Sequence, residues 1–523
     1  MNLPKRWFIH PFLIGVFPVI ALLAKNIGQV KASASYRSFF FMVIFAGLLL
    51  VLLRILIREW ARAALVCSFL LGLFLFYGHV YGLLENVQVF GVYLGRHRFL
   101  IPLWLCIGVF GIWLIIKRIS DLSSWTAGLN IIGISAVALS LIQIVAFEIR
   151  LGKVTHNEME PLTSDLLKLH LPSDQAPPDV YYIILDSYPR DDVLKKDIQY
   201  DNTPFLSQLQ EMGFYVAKCS QSNYASTELS LPASLNFEYL DTTIANYQRR
   251  TNDLSPFWPL LKNSRVRQIF EDLGYTTVAF ETGFTWSEID DADIYISRPF
   301  KSFSIDSLRR INNFEGLFIK TTAGLILTDV QSRLPKFLTV DVDAADVKEH
   351  RERTLFVLNE LDRIPSQIRS PKFVFVHIIA PHRPFVFGAN GEEVNFPKHL
   401  DDQQYILASQ GQISYINKRV LTLVADIMKQ SVTPPIIIIQ GDHGQSRSTP
   451  SHRMAILNAY YFPGGKNRSL YPNISPVNTF RVLFNNYFGG YFGLLKDVSY
   501  YSEYNNPYDF SVVTVRRPGC GNN

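Results

Sequence analysis

Asp442 and His443 lie between two glycines at the end of the run Pro435-Ile436-Ile437-Ile438-Ile439-Gln440-Gly441-Asp442-His443-Gly444. An adjacent carboxylate and imidazole suit a divalent metal such as zinc or manganese. The same pair also fits a turn closed by an Asx-type hydrogen bond. Asp186 ends another apolar run, Val180–Leu185, where it either caps the following segment or turns its carboxylate toward the same cation. Thr227 and Ser230 lie in Asn223-Tyr224-Ala225-Ser226-Thr227-Glu228-Leu229-Ser230-Leu231-Pro232, which puts hydroxyls at the start of a helix. Helix N-termini bind phosphate and sulfate, and a hydroxyl there can attack phosphorus once a metal lowers its pKa. Capping is the simpler use of the same residues. His382 and Arg383 stand in a proline-rich turn after the apolar run Phe373–Ile379, and His452 follows His443 by nine residues. His377, inside the apolar run, reads as a hydrogen-bonded core histidine.

Chemistry of this kind needs a scaffold that delivers distant residues to one place. Val180–Leu185, Thr276–Phe280, Phe373–Ile379, the isoleucine run and Ala459–Phe462 read as buried strands, and 202–213, 264–273, 348–362 and 404–430 read as helices. Strands alternating with helices predict an α/β domain with a largely parallel sheet sandwiched by helices. In such sheets ligands sit beyond the carboxyl ends of the strands, where Asp186, His382 and Asp442 fall.

The first part of the chain is different. Mean hydropathy over the 523 residues is +0.12, with 13% aromatics, and the excess comes from five apolar stretches at 8–24, 38–57, 63–84, 99–116 and 129–147. Each has about the length needed to cross roughly 30 Å of hydrocarbon. Five stretches exceed any signal peptide, so a five-helix transmembrane bundle is expected over 1–149, a juxtamembrane linker over 150–178, and an extracytoplasmic catalytic domain over 179–523. With the N-terminus inside, the inner loops hold seven Lys and Arg (5, 6, 54, 58, 62, 117, 118) against five outside (25, 31, 37, 96, 98), which favours that orientation. The net charge of +5 is dispersed, with no basic stripe for nucleic acid. Few ionisable residues interrupt the spans, which speaks against a transporter. Cys219 and Cys520 lie outside the spans and are the candidates for one disulfide.

The order of these elements resembles the alkaline phosphatase/sulfatase superfamily: strand–Asp186, Thr227 at a helix start, His382 in a Pro turn, Gly441-Asp442-His443-Gly444, then His452. With five spans ahead of it, the chain looks like the lipoteichoic acid synthases and lipid A phosphoethanolamine transferases. That resemblance implies Thr227 as nucleophile and metal ligand, and Asp186, Asp442 and His443 as the other ligands of one zinc or manganese ion. His382, His452, Ser230 and Arg383 would face substrate, with the two histidines binding the phosphate or a second ion, or protonating a leaving group. The implied reaction moves a phospho-linked head group, of phosphoethanolamine or phosphoglycerol type, from a membrane phospholipid to a glycan or lipid acceptor through a phospho-threonine. A monomer in the cell (inner) membrane is expected. Ser230-Leu231-Pro232-Ala233-Ser234 holds the first half of the sulfatase formylglycine motif but has Ser where that motif has Arg. A sulfuric ester or phosphodiester hydrolase of the same fold, and an inactive membrane receptor or scaffold, are the alternatives. Region 281–345 is expected to supply substrate loops.

Overall fold

The computed structural model describes residues 7–157, 169–171, 176–240, 244, 252–299, 311–329, 342–397, 399–513 and 520. The chain forms two compact units, Met1–Arg150 with Lys301–Asp346, and Leu151–Phe300 with Val347–Asn523. Most of the expected linker lies outside the described residues, at 158–168 and 172–175.

The first unit contains helices α1 (His10–Asn26), α2 (Tyr36–Ile57), α3 (Trp60–Leu84), α4 (His97–Lys117) and α5 (Leu122–Asn157). Four of them, α2 to α5, are long and apolar enough to cross a membrane. The fifth expected span is α1, which has only 17 residues. That is about 26 Å of helix, short of the roughly 30 Å of hydrocarbon. In α3, 56% of the apolar window is buried, against 6% in α4 and 11% in α5, so α3 forms the centre and the others turn apolar surface outward. Small side chains let the helices close on one another: Ala46, Ala63 and Ala64 are fully buried.

The second unit is organised by a seven-stranded sheet. Its strands are β1 (Val180–Leu185), β2 (Tyr215–Val216), β3 (Thr276–Phe280), β4 (Ile294–Ile296), β5 (Lys372–Ile378), β6 (Ile436–Gly441) and β7 (Asn458–Tyr461), in the order β2-β7-β6-β1-β5-β3-β4. From β6 to β4 all neighbours run parallel, while β7 is antiparallel to both β6 and β2. Successive side chains leave a strand on opposite faces, so each strand feeds two cores. Tyr181, Ile183, Leu185, Ile437 and Ile439 pack beneath helix α9 (Asp402–Gln430) through Ile416, Val420 and Val424. Tyr182, Ile184, Ile436, Ile438 and Phe375 face Leu231 and Leu235 of helix α6 (Thr227–Leu235) and Phe480 and Phe484 of α10 (Pro476–Tyr487). Burial on both sides is why these strands read as unbroken apolar runs. Lys372 and Asp179 form a buried ion pair at 2.6 Å, pinning the start of β5 beside the start of β1. Cys219 and Cys520 are joined by a disulfide.

Two further helices lie where the chain passes from one unit to the other. α7 (Asn313–Thr321) belongs to the first unit, and α8 (Val342–Leu361) leads back into the second. Of the stretch 281–345, residues 300–310 and 330–341 lie outside the described residues. Residues 313–321 pack among the apolar helices, which differs from the substrate-loop expectation for that part.

Candidate active site

Register decides which residues can meet. Leu185 of β1 pairs with Gly441 of β6 on one side and Ile378 of β5 on the other. Asp186, Asp442 and the turn after Ile378 therefore leave the sheet at one level of its carboxyl edge. The strands turn sharply there. A Cβ on Gly441 would stand 2.4 Å from the Tyr188 carbonyl oxygen, so only glycine lets the two turns approach. Ser187 holds a left-handed backbone at φ 61°, an uncommon conformation for a residue with a side chain. That turn aims its N–H at Asp442 Oδ1 (2.9 Å) and sets its hydroxyl oxygen 3.2 Å from His443 Nδ1.

Thr227, the first residue of α6, meets this edge from the side. Its Oγ1 lies 2.6 Å from Asp442 Oδ2 and 3.1 Å from His443 Nε2. Asp442 Oδ1 accepts the N–H groups of Ser187 and His443, both at 2.9 Å. His443 Nδ1 is 2.8 Å from the Gly444 carbonyl oxygen. That oxygen can only accept, so Nδ1 carries the proton and Nε2 presents a lone pair. Burial holds His443 below the ordinary imidazole value, against the opposing pull of Asp442, and keeps the ring neutral. One threonine proton thus faces two acceptors, and one of them goes without. Asp186 Oδ1 is also buried with no hydrogen-bond partner.

Such a pocket suits a cation. Asp186, Asp442 and His443 each offer one ligand atom, all within 4.8 Å of one another. With the Thr227 hydroxyl, the donors are two carboxylates, an imidazole nitrogen and an alcohol oxygen, a set that suits zinc or manganese. Ser230 is turned away from this set. It is 1% exposed and its hydroxyl donates to the Asp442 carbonyl at 2.8 Å, bracing the turn from behind.

The other expected residues are spread along the edge. The His382 N–H donates to the Asp186 carbonyl at 3.0 Å, and its ring acts electrostatically on the Asp186 carboxylate. Arg383 is exposed on the same turn. His452 is paired through Nδ1 with Asp197 at 2.8 Å. His377 departs from the simple core reading. Its Nε2 is 3.2 Å from Asp186 Oδ2, yet neither ring nitrogen makes an aligned hydrogen bond.

Burial by itself would raise the Asp186 carboxyl. His382, His377 and His443 outweigh that effect and hold it below the usual carboxylate range. His350 on α8 is a fourth imidazole in this field. It is 3% exposed, its Nε2 has no partner, and burial, with Arg353 and His382, lowers it to about 3. Arg453 lies near enough to feel both Asp442 and Asp186, while its Nε donates to the Ala225 carbonyl at 2.8 Å. Ser187, His350 and Arg453 carry no recognisable spacing to the other site residues, so sequence offers little signal for them. Ser187 and Arg453 are each adjacent to a residue already singled out, Asp186 and His452.

Among solved structures, the chain is similar to the lipooligosaccharide phosphoethanolamine transferase A (EptA) of Neisseria meningitidis. Identity is 10%, with 92% of this chain and 94% of that one covered, at a TM-score of 0.39. It is also similar to the C-terminal periplasmic domain of EptC from Escherichia coli (12% identity, 66% and 94% covered, TM-score 0.42). A third is the phosphonate monoester hydrolase of Agrobacterium radiobacter (13% identity, 62% and 80% covered, TM-score 0.37). No curated protein sequence matches. The sequence profile of the sulfatase family matches residues 178–481, more than half of the chain and the whole segment that carries the converging acids, threonine and histidines. On that match the chain belongs to the sulfatase family and is an enzyme.

Proposed function

We propose that this protein is a metal-dependent, membrane-anchored transferase that moves a phospho-linked head group from a membrane phospholipid to a glycan or lipid acceptor, with Thr227 as the nucleophile. The observation that carries the reading is the position of Thr227 Oγ1, 2.6 Å from Asp442 Oδ2 and 3.1 Å from His443 Nε2 at a helix N-terminus. A bound divalent ion would lower the hydroxyl's pKa and offset charge on the phosphoryl oxygens. Asp442 and His443 hold Thr227 Oγ1 in place, and Asp442 already receives its proton. Thr227 Oγ1 bonds to phosphorus, and the lipid alkoxide leaves from the opposite side, taking a proton from an imidazole on the Asp186 side of the pocket. The acceptor hydroxyl then returns a proton to that imidazole and attacks the same phosphorus, and Thr227 Oγ1 leaves, taking back the proton held by Asp442. The N-terminus of α6 adds its dipole to the stabilisation of the non-bridging oxygens.

Ser230 is the nucleophile in the rival sulfatase reading. Its hydrogen bond to the Asp442 carbonyl and its 1% exposure favour Thr227. The second unit is read as extracytoplasmic, supported by the excess of basic residues in the inner loops and by the Cys219–Cys520 disulfide, a bond that persists in oxidising compartments. Five crossings, with α1 as a short first span, satisfy that orientation.

Mass spectrometry of the intact protein purified from native membranes tests the assignment. A phospho-linked adduct on Thr227, absent from Thr227→Ala, is the expected result. An aldehyde at Ser230 would overturn it in favour of a sulfatase. Adduct formation followed by release to water alone, with every acceptor hydroxyl refused, would identify a hydrolase.

A further inference from the structure

The segment 311–329 sits in the middle of the sequence of the catalytic half, yet it packs within the apolar helices of the first unit. Phe314 and Phe318 of α7 are 0% and 5% exposed and join a core with Val19, Met42, Leu71 and Leu75. The contact with α3 is backbone to backbone. A Cβ on Gly78 would stand 2.1 Å from the Lys320 carbonyl oxygen, so glycine at 78 is what admits the segment. The Ala323 N–H donates to the carbonyl of Phe74 at 2.7 Å, a bond between irregular backbone and an apolar helix.

Depth follows from helix geometry. Gly78 and Phe74 lie six and ten residues before the end of α3 at Leu84, about 9 and 15 Å along its axis. The 25 residues of α3 measure about 37 Å against roughly 30 Å of hydrocarbon, which leaves about 4 Å of overhang at each end if the helix is centred. The contact then falls about 5 to 11 Å inside the apolar layer by the same reckoning.

Polar groups in the segment behave accordingly. Thr321, Thr322 and Thr328 donate to the carbonyls of Phe318, Ile319 and Leu325 at 2.7, 2.9 and 2.8 Å, and the Gly324 N–H donates to Thr322 Oγ1 at 3.0 Å. Asn312 caps α7, donates its side-chain amide to the Ala34 carbonyl at 3.0 Å, and Glu315 pairs with Arg37. What turns outward is apolar: Leu317 is 44% exposed and Leu327 55%. Hydroxyls satisfied within the chain, with leucines outward, are the reverse of a water-facing helix. They meet the rule that irregular backbone enters a bilayer only where protein satisfies it.

We propose that residues 311–329 form a re-entrant membrane segment whose outward leucines contact lipid acyl chains. The inference rests on reading the first unit as membrane-spanning. Contacts with Ala34, just before α2, and with Phe74 and Gly78 in the second half of α3 put the segment at the end of the bundle opposite Arg54, Arg58 and Arg62. In chain order the segment comes before α8, which carries His350.

The test uses the full chain in phospholipid vesicles, with Cys106→Ser removing the exposed thiol while Cys67 stays buried. Single cysteines at Leu317→Cys and Leu327→Cys carry an environment-sensitive fluorophore. Val145→Cys, on the apolar surface of α5, and Val432→Cys, 96% exposed in the second unit, are the references. The expected result is blue-shifted emission at 317 and 327, quenched by doxyl-labelled lipid as at 145 and at least about twofold less by aqueous iodide than at 432. Iodide quenching equal to that at 432, or shielding from both quenchers, overturns the proposal. If 145 is lipid-quenched in the same vesicles, the membrane reading stands and only this inference fails. If 145 is itself iodide-quenched, both fall.

Discussion

Two corners of one sheet edge differ in how completely their polar groups are satisfied. At the Asp442–His443 corner nearly every polar atom has its partner: Oδ1 accepts two N–H groups, Oδ2 accepts the Thr227 hydroxyl, and Nδ1 donates to a carbonyl, which leaves only the His443 Nε2 lone pair without a proton. At the Asp186 corner, Asp186 Oδ1, both nitrogens of His377 and Nε2 of His350 are buried without hydrogen-bond partners. Buried orphans cost about 1–3 kcal/mol each, so a fold that keeps several together has a reason for them. Under the proposed function, the first corner positions the Thr227 hydroxyl before any ligand arrives. The second is shaped for charge that the ligand brings.

If that division is right, losses should be largest where the satisfied corner touches Thr227. Thr227→Ala is expected to lower head-group transfer at least about a thousandfold while the thermal melt stays close to wild type, as measured by turnover and calorimetry. Transfer within tenfold of wild type would remove Thr227 from the chemistry. Asp442→Asn is expected next. It loses one charged donor, and metal content after dialysis should fall well below stoichiometric, with activity reduced at least about a hundredfold. Retention of a full metal complement would show that the Asp186 corner alone holds the ion.

Ser187→Ala separates position from ligation. It keeps the N–H to Asp442 and removes only the contact to His443 Nδ1, so metal affinity should weaken about tenfold, the lower end of the range for partners that orient a ligand. An unchanged titration curve would show that the Gly444 carbonyl suffices. The smallest effect concerns the orphan corner. His350 is held neutral, with its pKa lowered from 6.5 to about 3. Below pH 6.5 the unfolded chain therefore binds a proton that the folded chain refuses, and stability falls as pH drops toward 3, by up to about 5 kcal/mol for the full shift. His350→Gln should flatten the dependence of Tm on pH between 6.5 and 4. A slope equal to that of wild type would mean that other groups govern the acid limb.

The scaffold was largely legible because burial on both faces leaves no polar alternation to confuse a strand with a loop. Val180–Leu185 and Thr276–Phe280 match the observed strands to the residue, and Phe373–Ile379 is displaced by one. The edge strands Tyr215–Val216 and Ile294–Ile296 are two and three residues long, too short to show a period. In the site, Asp186, Thr227, Asp442 and His443 could be singled out because each sits at the end of an apolar run or the start of a helix. Ser187 could not, because its role comes from a left-handed backbone and a neighbour 255 residues away. His350 reads as one more polar residue in Lys348-Glu349-His350-Arg351, and only folding shows which side of α8 is buried.

The sequence by itself determined the two kinds of region, because hydropathy and strand burial are local properties written into consecutive residues. It also determined which residue types were available at the strand ends. The tertiary structure decided which of them meet. Parallel register brings residues 186 and 442 to one edge, α6 brings Thr227 against them, and a threonine proton facing both Asp442 and His443 cannot be read from any spacing. It also decided where 313–321 belongs. That stretch is interrupted by Glu315 and Lys320 and is too short to read as a span, and it joins the apolar helices only because Arg37 neutralises the acid and Gly78 makes room.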